Sequence, residues 1–352
     1  MNAATLAAYS VVAVYSAIVV YVLAFIAFAL DLSKRSQIAQ SADAATARAD
    51  ANAPAPPSRA ASGSTIAAVA PTTAAAAPTA VLERATPPAV PGAPRDGASS
   101  VRGASSRFQR TGYALVIVGW VVHLTALVLR GLAAGRVPWA NLYEFAMTGT
   151  AIIVGVFIVI QLWRDVRFLG AYITGVVVLL LGLASVNFYV AVTPLPPALQ
   201  SAWLVIHVFV ATLGTGFFAV GGGLSIAQLL QARREAGGFP RLRLLNTFPA
   251  SEALENMAYR VIVVGFAFWT FTLMAGAIWA ERAWGRYWGW DTKEVWTFII
   301  WVTFAGYIHA RATQGWRGSR SAWLAIIGFT AVMFNFTVVN LFFKGLHAYS
   351  GL

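Results

Sequence analysis

The sequence predicts an all-α fold, a polytopic transmembrane helix bundle of about eight spans with a disordered Ala/Pro-rich cytoplasmic linker. Of its 352 residues 59% are hydrophobic and only 11% are charged, and the mean hydropathy is +0.68. A soluble globular protein rarely combines these values. A helix of about 20 apolar residues crosses a hydrocarbon core of about 30 Å. Eight such runs occur, none with the two-residue alternation of barrel strands, at 9–30, 113–132, 142–163, 168–190, 203–230, 260–280, 293–312 and 321–343.

Three regions follow from this pattern: an N-terminal transmembrane helix at 1–35, the linker at 36–110 and a membrane domain at 111–352. Residues 36–107 are rich in Ala, Pro, Ser and Thr and contain no aromatic residue. Such a segment lacks the large side chains that a packed core requires, and its recurring prolines oppose a persistent helix. The first apolar run has no small-residue cleavage signal, so we expect it to be retained.

The distribution of basic residues predicts the orientation of the spans. With eight spans, 19 of the 25 Lys and Arg residues fall on one side, and six on the other, namely Arg130, Arg136, Arg282, Arg286, Lys293 and Lys344. The positive-inside rule then puts both termini and the aromatic run described below outside the cytoplasm, in a multi-pass protein of the cell membrane. The basic cytoplasmic loops would meet anionic membrane lipid, so the net charge of +12 requires no nucleic-acid partner.

Cysteine is absent from the chain. The protein therefore cannot itself exchange disulfides, bind zinc through thiolates or hold an iron–sulfur cluster.

Residues 284–296, "WGRYWGWDTKEVW", are unusually aromatic. An interfacial belt needs one or two rings per helix end, and that role is enough for Trp120, Trp139, Trp203 and Trp323. A set of five rings within thirteen residues instead suits stacking against a flat conjugated ligand, and comprises Trp284, Tyr287, Trp288, Trp290 and Trp296. Asp291 and Glu294 have the spacing of a capping box that starts the seventh helix, which competes with direct ligand contact by Asp291.

The four histidines fall into two pairs by position. His207 and His347 lie at outer span ends on either side of the aromatic run, whereas His123 and His309 lie within spans. Imidazole is a good iron ligand, and two imidazoles on opposite faces of a macrocycle give a six-coordinate haem. An outer and an inner haem site are thus candidates. The alternative for each histidine is a hydrogen bond to a neighbouring helix.

The six outer basic residues are candidates for binding the two haem propionates, because an Arg guanidinium matches a carboxylate. Proximity to the aromatic run favours Arg286 and Arg282. The competing partners are Glu144, Glu281, Asp291 and Glu294, or lipid phosphates.

The region from Tyr113 onward resembles a known family. The run "WGRYWGWD" at 284–291, with "VPWANLYEF", "LQSAWLVIHV", "GYIHAR" and "GLHAYSGL", is similar to the Trp-rich WWD domain of CcsA/ResC-type haem-handling proteins of system II cytochrome c maturation, called CcsB in actinobacteria. Thr292 stands where many members have Pro, and Gly289 where Ser is common.

This resemblance implies a function and assigns roles to residues. His207 and His347 would be axial ligands of an exported haem b, and His309 of a second haem within the bundle. The opposite inner ligand is usually assigned to a ResB-type partner protein, so His123 is an alternative there. With that partner, the protein would export haem and present it on the outer aromatic platform, with Arg286 among its contacts, for thioether attachment to apocytochrome c.

The resemblance thus predicts a membrane subunit of a cytochrome c synthase complex, with no catalytic residue identified. Two other classes stay open on the residues alone. One is a bis-His electron carrier similar to cytochrome b, and the other is a haem-independent membrane transporter.

Overall fold

The computed structural model describes residues 2–52, 106–193, 200–238, 245, 248–343 and 345–347. Over these residues the protein is all-α and contains no strand. The chain divides into two units, one of residues 1–40 and 105–352, the other of residues 41–104. The first unit holds the helix bundle. Of the second, the structure describes only the continuation of the first helix.

Eight long helices form the framework of the described part of the chain. They are α1 (Ala3–Ala51), α2 (Arg107–Ala134), α3 (Leu142–Trp163), α4 (Gly170–Asn187), α5 (Ala202–Glu235), α6 (Ser251–Trp284), α7 (Thr292–Thr313) and α8 (Ser319–Phe334). A 3₁₀ turn at Arg167–Leu169 precedes α4, and a π-helical turn at Asn335–Val339 and a short helix α9 (Asn340–Phe342) follow α8.

Seven of the described helices are long and apolar enough to cross a membrane, which confirms a multi-pass membrane protein. The eighth predicted span, 293–312, coincides with α7. This helix has 22 residues but is outside that set, because its Trp, Tyr, His and Arg side chains make it less apolar. It nevertheless packs against α6 and α8.

The predicted start of the linker at residue 36 falls within helix α1. Helix α1 continues to Ala51, because Ala-rich sequence favours a helix and the first proline is Pro54. At the other side, α2 begins at Arg107, where the Ser106 hydroxyl caps the helix and also bonds the Asp31 carboxylate of α1. The predicted disorder of residues 53–105 lies outside the described residues.

Small residues let the central helices approach closely. Helix α5 packs along α6, and the positions of Gly214, Gly221 and Gly265 leave no spare room for a side chain. Phe218 of α5 stacks on Phe304 of α7 with ring centroids 3.8 Å apart. Close packing through small residues is the usual means of association in lipid, where no hydrophobic effect draws helices together.

The helix ends at one side of the bundle come together. The Ser10 hydroxyl of α1 donates to the Ala126 carbonyl of α2, and Trp139 before α3 packs in one cluster with Leu204 of α5 and Trp279 of α6. This side, which carries the run 284–296, is called the aromatic end below. The N-terminus of α1 and the residues after α9 lie there too, the latter through the contact of His347 with Trp284.

A buried ion cluster holds three helices at the aromatic end. Glu144 of α3 is fully buried and accepts from Arg130 Nε at 2.9 Å and from Arg136 Nη1 at 2.7 Å. Arg130 Nη2 donates to the Val190 carbonyl at 2.7 Å, just after α4. Two of the six outer basic residues thus have Glu144 as their anionic partner.

The packing of α4 against α1 yields a stability prediction. A Cβ on Gly170 would lie 2.4 Å from the Phe28 ring, whereas one on Gly182 of the same helix would meet nothing within 4 Å. Because Phe28 is buried, we expect Gly170→Ala to destabilise the protein by about 1–3 kcal/mol. The matched change Gly182→Ala should be neutral or stabilising, by up to about 1 kcal/mol. Thermal unfolding in detergent checks this, and equal midpoints for the two variants would refute the close contact.

Candidate functional site

A cavity opens at the aromatic end, between the ends of α3, α5, α6, α7 and α8. Its volume is about 160 Å³. Aromatic rings supply much of the lining, namely Trp139, Phe145, Trp269, Trp279, Tyr287, Trp288 and Phe336. Its polar residues include two of the four histidines, His207 and His347. Large apolar pockets with a few converging polar groups are typical of ligand sites.

His207 is fitted into the surface of α6. Its Nδ1 lies 3.0 Å from the Thr272 carbonyl, and its ring stacks on Trp279 with centroids 5.8 Å apart and planes 18° apart. A Cβ on Gly276 would lie 2.7 Å from His207 Cε1, so glycine creates the notch that receives the imidazole. Since a carbonyl can only accept, Nδ1 carries the proton here, and Nε2 keeps a lone pair for a ligand.

His347 has the same arrangement with a different acceptor. Its Nδ1 donates to Asp291 Oδ2 at 2.8 Å. Its ring meets Trp279 and Trp284 edge to face, with centroids 5.4 Å and 4.8 Å apart. A carboxylate behind Nδ1 fixes the tautomer and makes Nε2 a stronger ligand, as in many metal sites. In the described part of the chain, the Nε2 atoms of His207 and His347 form no hydrogen bond.

Asp291 connects the start of α7 with the segment after α9. Its carboxylate accepts the Lys293 N–H at 3.4 Å and the Leu346 N–H at 3.1 Å, besides His347. The Glu294 carboxylate in turn accepts a hydrogen bond from the Asp291 N–H at 3.0 Å. The predicted capping box is therefore confirmed. The hydrogen bond from His347, opposed by burial, holds the pKa of the Asp291 carboxyl below its ordinary value. Asp291 is therefore an anionic partner of His347 as well as a helix cap.

The rings of the aromatic run have different positions. Tyr287 and Trp288 line the cavity, while Trp284 packs on His347 and Trp279. Trp290 is 72% exposed and has a left-handed φ of 61°, unusual for a bulky residue. Trp296, outside the cavity, packs on Phe334. The run is thus no single flat surface; its rings face in several directions.

The two inner histidines lie apart from this cavity. His123 is fully buried, with Nδ1 3.5 Å from the Tyr21 hydroxyl of α1 and with Nε2 unpartnered among the described residues. The side chain of His309 is exposed on α7. Neither residue lines the cavity that holds His207 and His347.

The two arginines that the sequence favours for propionate binding, Arg286 and Arg282, do not line the cavity either. Arg286 Nη1 donates to Glu294 Oε1 at 3.1 Å and Arg282 is exposed, so the structure puts neither at the lining. Among the described lining residues, Lys293 is the one Lys or Arg.

Two tryptophans were missed as site residues. Trp279 is 2% exposed and contacts both histidines, and Trp139, which the sequence explains as interfacial, is buried in the cavity lining. Thr272, Gly276 and Trp279 are spaced i, i+4, i+7, so they share one face of α6. That spacing predicts that the three residues share a face of α6, but it does not predict which helix packs against that face.

Fold and site together define a polytopic all-α membrane protein with an aromatic cavity flanked by two histidines. Residues 139–347 match the family model described as cytochrome c assembly protein. Among curated relatives, the cytochrome c biogenesis protein CcsA of Guillardia theta is 34% identical, over 68% of this chain and 86% of its own length. CcsA of Prochlorococcus marinus is 36% identical, over 63% and 78% of the respective chains.

The chain therefore belongs to the cytochrome c assembly protein family, as a CcsA-type cytochrome c biogenesis protein. The predicted resemblance to CcsA-type proteins of cytochrome c biogenesis is confirmed. A solved structure, the cytochrome c haem lyase CcmF, has a similar fold, with a TM-score of 0.51 at 17% identity over 70% of this chain. The chain spans 44% of that protein, so the similarity extends to the fold alone.

Proposed function

We propose that this protein receives haem b, holds it in the outer cavity between His207 and His347, and presents it to apocytochrome c for thioether attachment. As cargo, haem supplies an iron that two imidazoles can ligate and the vinyl groups that the Cys-x-x-Cys-His thiols attack. The protein's contribution is orientation, because holding two reactants in place replaces an improbable encounter with an intramolecular step.

One observation carries this proposal. His207 and His347 are far apart in the chain, yet both contact the same indole, that of Trp279. Each has Nδ1 bound to an acceptor of the protein, which directs Nε2 to a ligand. Both histidines have Nδ1 bound to an acceptor and both lie at one cavity. This shared arrangement supports ligation of one iron by the two imidazoles over two separate structural roles.

The cavity residues fit haem in other respects. A flat macrocycle needs apolar and aromatic surroundings, which Trp139, Tyr287 and Trp288 provide at the lining. Its carboxylates need polar partners, and the lining includes Lys293 and Asn340. The Asp291 carboxylate orients His347 without a direct part in the reaction.

The partner and the inner site follow from the resemblance. We propose a ResB-type partner, with which this chain forms the synthase of the system II pathway. The exposed side chain of His309 supports an inner haem ligated together with that partner, whereas His123 is enclosed against Tyr21. Haem would then pass from this inner site to the outer cavity.

We further propose that α7 is the eighth span and that both termini and the aromatic end face away from the cytoplasm. The packing of α7 between α6 and α8, and the positions of Ser10 and His347 at the aromatic end, support this topology. The excess of basic residues at the other side supports the orientation.

An absorption spectrum of the purified protein tests the function. We expect a Soret band with the sharp reduced bands of a six-coordinate low-spin haem. The double variant His207→Ala/His347→Ala should lose the absorption of the outer haem. The variant His309→Ala, which changes the inner site, should keep the absorption of the outer haem. Wild-type protein without a Soret band would favour a haem-independent transporter. A spectrum unchanged by the double substitution would favour an inner haem alone, as in a cytochrome b-like carrier.

A further inference from the structure

One side of the cavity is polar, where the start of α7 faces the end of α8 and α9. Lys293 and Thr297 of α7 and Asn335 and Asn340 opposite them all line the cavity. The Lys293 ammonium donates to the Asn340 amide oxygen, and Asn340 Nδ2 donates to the Phe336 carbonyl at 2.7 Å. The Asn340 amide is therefore held in place, and its oxygen fixes the ammonium group at the cavity lining.

Lys293 forms no ion pair with any residue that the structure describes. The nearby carboxylates are engaged elsewhere, Asp291 with His347 and Glu294 with Arg286 and the Gly289 N–H. Among the described residues, no carboxylate oxygen lies within ion-pair distance of Lys293. An ammonium group that is partly withdrawn from water beside a neutral amide is costly unless an anion compensates it.

The ammonium also has unused hydrogen-bonding capacity. It carries three donors, of which Asn340 takes one. Arg130 and Arg136, the outer basic residues before α3, are bound to Glu144. Lys293 is thus the cation at the described cavity lining that can receive an anion from a ligand.

We infer that Lys293, oriented by Asn340, is the binding site for a carboxylate of the cavity ligand. The identity of that ligand rests on the proposed function, in which the carboxylate is a haem propionate. The assignment differs from the sequence-based preference for Arg286 and Arg282, since Arg286 is paired with Glu294 and neither lines the cavity.

The test uses metal-free protoporphyrin IX and its dimethyl ester, which separate carboxylate recognition from iron ligation. Binding to the full-length protein in detergent micelles is followed by quenching of tryptophan fluorescence. We expect wild type to prefer the free acid, and Lys293→Met to lose about tenfold in affinity for the acid with little change for the ester. Lys293→Arg should keep the preference.

Arg282→Met is the matched control, a basic residue of the same end outside the lining, and it should behave as wild type. Unchanged ester binding by Lys293→Met would show that this variant is folded. Equal binding of acid and ester by wild type, or a preference that survives Lys293→Met, would overturn the carboxylate site and leave the proposed function standing. Failure of wild type to bind either porphyrin would overturn the carboxylate site, while the proposed function, which depends on iron, would be decided by the Soret band.

Discussion

Replacing His207 or His347 by glycine is expected to abolish the accumulation of holocytochrome c while the protein stays in the membrane. Loss of a residue that only supports a metal ligand typically costs 10–100-fold in affinity or activity, so loss of the ligand itself should exceed about 100-fold. His207 lies in a notch at Gly276 and His347 is partly exposed beside Trp284, so removal of either imidazole leaves space that the surroundings need not fill.

Haem staining of membrane and secreted fractions, with immunodetection of the variant, measures this effect. Added imidazole should restore part of the activity of each glycine variant, because it can occupy the vacated place and supply the missing ligand. A variant that matures cytochrome c without added imidazole would contradict the ligand assignment. Absence of the protein from the membrane would instead assign the histidine a folding role.

Replacing Glu144 by alanine is expected to destabilise the bundle by about 3–5 kcal/mol, because it leaves two arginines without their shared carboxylate. Arg130 is fully buried, and its Nε and Nη2 atoms are tied to Glu144 and the Val190 carbonyl. The Ala140 N–H also donates to Glu144, at 2.9 Å, so the loop that carries Trp139 would loosen as well.

The double variant Glu144→Ala/Arg130→Met provides the control. It removes the buried charge together with its partner, so it should unfold at a higher temperature than Glu144→Ala alone. Thermal unfolding of the purified variants in detergent compares them. Additive effects of the two substitutions would show that the buried pair is not the source of the loss.

The fold was predictable because bilayer thickness sets the length of a span, and seven predicted spans are helices that meet that requirement. The position where α1 ends was not predictable. Its Ala-rich continuation has no periodic pattern of apolar residues, and Pro54 is the first residue that opposes a helix. The capping box at Asp291 and Glu294 was predictable because it depends on local spacing. The family was predictable from the same short stretch.

The composition of the site was predictable only in part. His207 and His347 could be paired because topology puts both at one end, but the role of Trp279 depends on which faces of α5 and α6 meet. Similarly, the choice of Lys293 over Arg286 depends on side-chain pairing across the turn 285–291. Such contacts arise between distant segments, and spacing along one helix does not specify them.

The bond between Asp291 and His347 has a consequence for biosynthesis. The cavity draws its two imidazoles from α5 and from the segment that follows α9, and ribosomes make these in that order. A nascent chain that has inserted α5, α6 and α7 therefore presents one imidazole and an Asp291 without its partner. The second imidazole arrives only when α8 and α9 have joined the bundle, so an incompletely inserted chain cannot present both imidazoles at the cavity.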